Sequence, residues 1–398
     1  MKICFLIGSV FNLGGVQRVT SVLASELSVE HDINILCMEN DFEEDRSLYN
    51  LNEKVKVTIW KEEFERNIFK RISYKIIKDI NKKGGYFNKE KTLKLLTNAY
   101  YPHKLRNSII NYLNENDYDI VIGVEGYYSL LLGEISDKIT AKTIGWQHNS
   151  YEAYLKNKGR YYWNRDILFE KYIPKLDEYI VLNNHDKSMY KNEKGIESKV
   201  IYNPRSFKSD EKSDVKSKTF LAAGRFNYQK GFDLLIESFK IFAKENNEWN
   251  LIIVGEGEEK DNMKKLIDKY KLNDRILIKH FTDNIKKYFL ESSALLLSSR
   301  WEGMPMIVLE SLEMGVPVIF YDITAIEPLV TNDKEGLVVE KYDVKAYADA
   351  MSKISKSYDL RLNMSKNSIE KSKDFDIERI LKVWNDVFIN CVNAKNKD

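Results

Sequence analysis

Short runs of apolar residues recur along the chain, and between them apolar residues return at every third or fourth position. Strands buried on both faces read as continuous apolar runs, whereas a covering helix needs one apolar stripe, so this alternation predicts parallel sheets covered by helices. In the first half the runs ICFLIG (3–8), INILCM (33–38), VKVTIW (55–60), DIVIGV (119–124), KTIGW (142–146) and LDEYIVLN (176–183) are predicted strands. Between the first two, Val16, Val19, Val22, Leu23 and Leu27 share one helical face, which makes a strand, glycine loop, helix unit. From 199 to 218 the chain turns polar, carries Pro204 and loses periodicity, which predicts a domain boundary. A second series follows: FLAAGRF (220–226), NLIIVGEG (250–257), ILIKHF (276–281), ALLLSS (294–299), VPVIFYD (316–322) and GLVVE (336–340). The expected organisation is α/β, with one half over 1–203, another over 204–374, and an amphipathic helical segment over 375–398 that either stands apart or returns to the first half.

Composition narrows the class. A chain of 398 residues suits two domains, and 43% hydrophobic with 31% charged residues is ordinary for a globular protein. Sixty-two basic against sixty acidic residues leave +2, which gives no global case for nucleic acid. Cys4, Cys37 and Cys391 form no pair or cluster of metal-ligand spacing, so no metal site is expected and a reducing, cytoplasmic setting fits. The first apolar run ends in glycines and is too short for the core of a secretory signal, and no segment reaches the roughly 20 apolar residues of a membrane span.

The most informative chemistry lies in SRWEGMPMIVLESLEMG, residues 299–315. Here Glu302, Gly303, Met304 and Pro305 lead into a helix that Pro305 opens and Gly315 closes, with Glu310 two turns after Glu302. Amides at such a helix start, together with its macrodipole, attract anionic or hydroxyl-rich ligands, and two carboxylates so spaced would accept from two sets of hydroxyls on one extended ligand. Two glutamates alone are more often the ordinary acidic start of a buried helix. Their company reverses that reading. Two glutamates at this spacing, followed by GVPVIFYD, by Glu327 in AIEPLV and by EGLVVEKYD, resemble glycosyltransferase family 4, the retaining nucleotide-sugar-dependent enzymes of bacterial polysaccharide type. The stretch 224–239, GRFNYQKGFDLLIESF, also matches that family, with Arg225 after a strand and Lys230 before a helix.

The resemblance implies a GT-B fold: two facing Rossmann-like domains with a central cleft, the first binding the acceptor and the second the nucleotide sugar. It implies that Arg225 and Lys230 bind the donor diphosphate and offset charge as the sugar leaves, that Glu302 holds the transferred sugar, and that Glu310 holds the ribose. Gly303, Met304 and Pro305 would line the donor. A histidine ending this strand of the first domain reaches the donor sugar in related enzymes, which puts His148 in the site. Gly14 and Gly15, between strand and helix, would let backbone approach a ligand, although Gln17 stands where the family often has glutamate. VGEGEEK (254–260) tempts a dinucleotide reading, but the third glycine is missing and its glutamates would repel a pyrophosphate. In the family the nucleotide base lies near such a turn, close to where His280 and Phe281 stand here.

From Arg66 to Arg106, twelve Lys or Arg face only Asp79 and Glu90, a local +10, interleaved with Ile68, Phe69, Ile72, Ile76, Ile77 and Ile80. Two readings stand side by side: a basic amphipathic helix resting peripherally on the inner face of an anionic membrane, or the solvated face of a core-packed helix. The expected reaction moves a sugar from a nucleotide diphosphate, UDP foremost, to a hydroxyl of a growing, lipid-linked cell-surface glycan, with retention and without a metal or further cofactor. A soluble sugar or sugar-phosphate acceptor is the alternative. A nicotinamide-dependent oxidoreductase would share doubly wound halves, and a non-catalytic sugar-binding protein would share the cleft. The first lacks a full glycine fingerprint with a ribose-binding acid, and the second usually carries an export signal.

Overall fold

The structure is a computed structural model that describes residues 1–61 and 67–393. Arg66 of the basic stretch and residues 394–398 of the C-terminal segment lie outside the described residues. The chain divides into two compact units, one of residues 1–202 with 380–398, the other of residues 203–379.

In the first unit seven strands form one sheet: β1 (Lys2–Ile7), β2 (Asp32–Cys37), β3 (Lys56–Ile59), β4 (Ile120–Val124), β5 (Lys142–Trp146), β6 (Glu178–Val181) and β7 (Lys199–Val200). Their order is β3-β2-β1-β4-β5-β6-β7, and every pairing is parallel. β4 is buried at all five positions, as a strand covered on both faces must be. The short β7 falls where the chain turns polar, so its existence rests on pairing with β6 rather than on pattern. The helix Ile377–Asn393 buries Ile380, Trp384, Val387, Phe388 and Cys391, an apolar stripe of helical period. From Ile380 onward it is part of this unit: Trp384 meets Trp146 of β5 edge-on, with ring centroids 5.2 Å apart, and Asn385 bonds His31 at 3.0 Å.

In the second unit six strands pair, again all in parallel: β8 (Thr219–Ala223), β9 (Asn250–Val254), β10 (Ile276–Lys279), β11 (Ala294–Leu297), β12 (Val318–Tyr321) and β13 (Gly336–Val339), in the order β10-β9-β8-β11-β12-β13. The chain winds outward from β8 to β10, then returns to lay β11 on the other side of β8. In open α/β sheets ligands bind at such a reversal, outside the carboxyl ends of the strands, which here are those of β8 and β11. The first unit reverses in the same way between β1 and β4. Among the described residues no helix is long and apolar enough to cross a membrane.

Candidate functional site

The loops leaving β8 and β11 are stitched together at the reversal of the second sheet. After β8, the Asn227 side chain accepts from the Lys230 amide at 3.2 Å and caps a single 3₁₀ turn, Tyr228–Lys230. Gly231 then turns left-handed at φ 64°, and a Cβ on it would stand 2.2 Å from the Ser298 carbonyl oxygen, so only glycine fits. After β11, the Arg300 amide donates to the Gln229 carbonyl at 2.7 Å, the Gln229 side chain to the Trp301 carbonyl at 3.0 Å, and the Ser298 hydroxyl to the Lys230 carbonyl at 2.9 Å. The Arg300 guanidinium forks onto Asp233 at 2.9 and 2.6 Å, donates to the Tyr228 carbonyl at 2.7 Å and lies 3.9 Å above the Tyr228 ring. A planar guanidinium suits this task because it serves a carboxylate, a carbonyl and a ring at once.

This stitching sets one ion pair. Lys230 Nζ lies 2.6 Å from Glu302 Oε1, and the Ser299 hydroxyl donates to the same oxygen at 2.6 Å. Glu302 is buried, Lys230 is largely so, and Arg225 stands exposed on the same loop. Pro305 sits at the cap of the helix Met306–Glu313, one position ahead of its first residue, and Gly315 follows the helix with φ 70°. Glu310 is buried in the second turn and accepts from the Ser206 hydroxyl at 2.7 Å. Gly303 and Met304 are buried between the ion pair and that helix, and the Asn203 amide contacts the Met304 sulfur at 3.1 Å.

Asn203, Ser206 and the cations that follow lie in the polar stretch 199–218, where the sequence predicts a domain boundary and no site residue. Arg205 pairs with Glu313, and Lys212 reaches the other oxygen of that carboxylate at 2.6 Å. Burial alone would raise the Glu313 pKa, but Lys212, the Ser209 amide and Arg205 carry it below the usual range. The sequence carried half of the signal, since an acid on the buried face of an apolar helix demands a cation, but Arg205 and Lys212 lie 108 and 101 positions away and only the fold brings them to it.

Gly255 and Gly257 have a packing role. A Cβ on Gly255 would meet the Gly224 carbonyl oxygen at 2.0 Å, and one on Gly257 the Phe226 carbonyl oxygen at 2.3 Å, so these glycines let the loop after β9 lie against the loop after β8. Beyond it, His280 is exposed and pairs with Glu256, which Lys260 also holds at 3.0 Å, and Phe281 is half-buried beside His280.

In the first unit, Gly14 caps the helix Gly15–Leu27, and its amide donates to the Tyr49 hydroxyl at 2.9 Å; Gly15 is exposed. His148 follows β5. Its neighbour Gln147 accepts from the Tyr179 hydroxyl at 2.8 Å and faces Asp186, which also accepts from the Tyr151 amide at 2.9 Å. The His148 ring lies 4.1 Å from that of Trp146, and its Nε2 is buried without a partner among the described residues. Burial pushes its pKa down to about 3, so the imidazole is neutral near pH 7.

A pH prediction follows from this corner. His148 titrates at 6.5 when unfolded and at about 3 when folded, so between those values the unfolded chain binds the proton and stability falls as pH drops. Burial raises Asp186 from 3.8 to about 7, so there the folded chain keeps the proton and stability falls as pH rises. From pH 3.8 to 6.5 the two oppose each other. Relative to the parent, His148→Gln should tilt thermal stability downward with rising pH over this window and Asp186→Asn should tilt it upward. Equal slopes in the two variants would contradict the assignment.

With the geometry in place, the comparisons give it a class. The family model for Glycosyl transferases group 1 matches residues 205–371, the stretch that holds Arg225, Lys230, Glu302 and Glu310. Residues 205–371 are a glycosyltransferase domain. Relatives extend along the whole of this glycosyltransferase. An uncharacterized glycosyltransferase of Haemophilus influenzae is 24% identical over 391 residues, covering 96% of this chain and 98% of its own. The GalNAc-alpha-(1->4)-GalNAc-alpha-(1->3)-diNAcBac-PP-undecaprenol alpha-1,4-N-acetyl-D-galactosaminyltransferase of Campylobacter jejuni is 26% identical, covering 99% of this chain and 100% of its own. Among solved structures, a mutant of S. aureus TarM in complex with fondaparinux, alpha-GlcNAc-glycerol and UDP superposes with a TM-score of 0.76 at 15% identity, covering 97% of this chain and 99% of that one. The likeness confirms the fold as GT-B, built of two Rossmann-like units.

Proposed function

We propose that the glycosyltransferase is a retaining enzyme of family 4 type that moves a hexose from a UDP-sugar to a hydroxyl of a growing, lipid-linked glycan at the inner face of the membrane. The observation that carries this reading is the Lys230–Glu302 pair at the sheet reversal, 2.6 Å across, with Arg225 on the same loop and Glu310 in the helix that follows. Lys230 and Arg225 offset charge on the departing diphosphate, a fixed electrostatic arrangement of the kind that usually supplies the largest catalytic contribution. Glu302 and the neutral His148 orient the sugar, Glu310 accepts from the ribose hydroxyls, and the backbone from Gly303 to Pro305 faces the phosphates. Gly14 and Gly15 bring backbone to the donor, and His280 and Phe281 flank the base. Attack comes from the face the leaving group departs, with the leaving phosphate oxygen taking the acceptor proton, so no protein nucleophile and no metal enter the reaction. UDP in the S. aureus relative supports the donor, and the undecaprenol-linked glycan named for the Campylobacter relative supports the acceptor.

A panel of UDP-, GDP- and ADP-sugars tests the donor, since a ligand at a hundred times its Kd adds about 2.7 kcal/mol to stability. A thermal shift with UDP-sugars that is lost in Glu310→Ala is expected. No shift with any nucleotide sinks the reading, and a shift unchanged in Glu310→Ala removes Glu310 from it. UDP release on adding an undecaprenyl-diphosphate glycan, but not on adding a free sugar phosphate, separates the two acceptor classes.

A further inference from the structure

The basic stretch of the first unit contains a helix, Ile68–Gly84, most of whose large apolar residues are exposed. The helix is fastened along one side only: Ile77 packs on the core, Lys78 lies over the Tyr100 ring at 5.1 Å, and the Asn81 side chain bonds the Asn164 carbonyl at 2.6 Å. On another side Ile68, Ile72, Ile76 and Ile80 recur every four residues with Phe69 beside them, and these five are 64, 53, 51, 40 and 79% exposed. Sixteen large hydrophobic residues are exposed among the described residues, and this helix carries five of them. Isolated exposed apolar residues are normal, but five in one stripe mark a surface that meets something.

The charge says what. The helix has six cations, Lys70, Arg71, Lys75, Lys78, Lys82 and Lys83, against Asp79 alone. A second copy docking through the same face would set one net +5 helix against another, which costs free energy. An anionic bilayer both accepts the apolar stripe and attracts the cations around it. We infer that the helix Ile68–Gly84 is a membrane-docking element that lies in the plane of an anionic bilayer surface, with Phe69, Ile72 and Ile76 entering the acyl boundary and Lys75, Lys82 and Lys83 at the headgroups. The inference stands on the exposure and charge of this helix and does not depend on the donor or acceptor proposed above.

Flotation of the full chain with phosphatidylcholine vesicles, with and without phosphatidylglycerol, tests it. Strong binding to the anionic vesicles and weak binding to the neutral ones is expected. The triple variant Phe69→Ser, Ile72→Ser, Ile76→Ser should bind the anionic vesicles at least about tenfold more weakly, and so should Lys75→Gln, Lys82→Gln, Lys83→Gln. All six positions are exposed, so both variants should keep the parent's melting temperature and its UDP-sugar shift. Three outcomes overturn the inference: no binding by the parent, undiminished binding by the serine variant, or a dimer that the serine variant disperses while no vesicle binds. Loss of the nucleotide shift with vesicle binding intact would count against the donor reading alone.

Discussion

Lys230→Ala is expected to lower kcat by about 10²- to 10³-fold, the usual cost of removing one preorganised group that meets charge developing in a transition state. The ammonium is held before any donor arrives: its loop is capped by Asn227, closed by Gly231 and tied to the β11 loop through Ser298, Gln229 and Arg300. The same substitution strips Glu302 of its cation while the Ser299 hydroxyl still donates to that oxygen. A buried carboxylate that loses its counter-ion destabilises the fold, so a lower melting temperature is also expected. The two effects separate in the double variant Lys230→Met, Glu302→Gln, which removes both charges: stability should return and turnover should not. Arg225→Ala, on an exposed side chain, should lower turnover by a comparable factor with no change in melting temperature. Turnover within about threefold of the parent in Lys230→Ala would remove the ammonium from the chemistry, since one lost charge-assisted contact is worth more than that.

Gly231→Ala is expected to cost about 2–4 kcal/mol, the range for a substitution that combines backbone strain with a steric clash. The residue is left-handed at φ 64°, and the new Cβ would lie 2.2 Å from the Ser298 carbonyl oxygen, so one of the two stitched loops has to move. Gly195 separates the two costs. It has the same φ of 64°, but nothing lies within 4 Å of its would-be Cβ. Gly195→Ala should therefore cost only about 1 kcal/mol, the strain without the clash, and leave turnover alone. Because displacing Ser298 or Gly231 also shifts Lys230 relative to Glu302, Gly231→Ala should lose turnover out of proportion to its stability. Equal melting temperatures for the two alanine variants would show that the close approach is not rigid.

Residue pattern alone reached the strands that carry the site, because parallel strands buried on both faces advertise themselves as unbroken apolar runs. It also reached the helix after Pro305, whose start and end are set by local chemistry: proline at the entry and glycine at the exit. The candidate side chains Arg225, Lys230, Glu302 and Glu310 were singled out by the resemblance to glycosyltransferase family 4, since pattern alone reads each of them as an ordinary surface charge or an acidic helix start.

What pattern could not supply was adjacency. Nothing in the apolar runs says that β11 lies beside β8 rather than beside β10, yet that order puts Lys230 against Glu302 across 72 positions of sequence. The Arg300–Asp233 fork and the Ser206–Glu310 bond belong to the same class: long-range pairings of polar groups, each of which reads as an ordinary surface charge until its partner is known. The helix Ile68–Gly84 shows the limit most plainly. Its period and charge were visible from the outset, but a helical stripe of isoleucines has the same spacing whether it packs on a core or faces outward. Periodicity reports that one face differs from another; only the tertiary structure, by fastening the helix through Ile77, Lys78 and Asn81, decides which face is left uncovered.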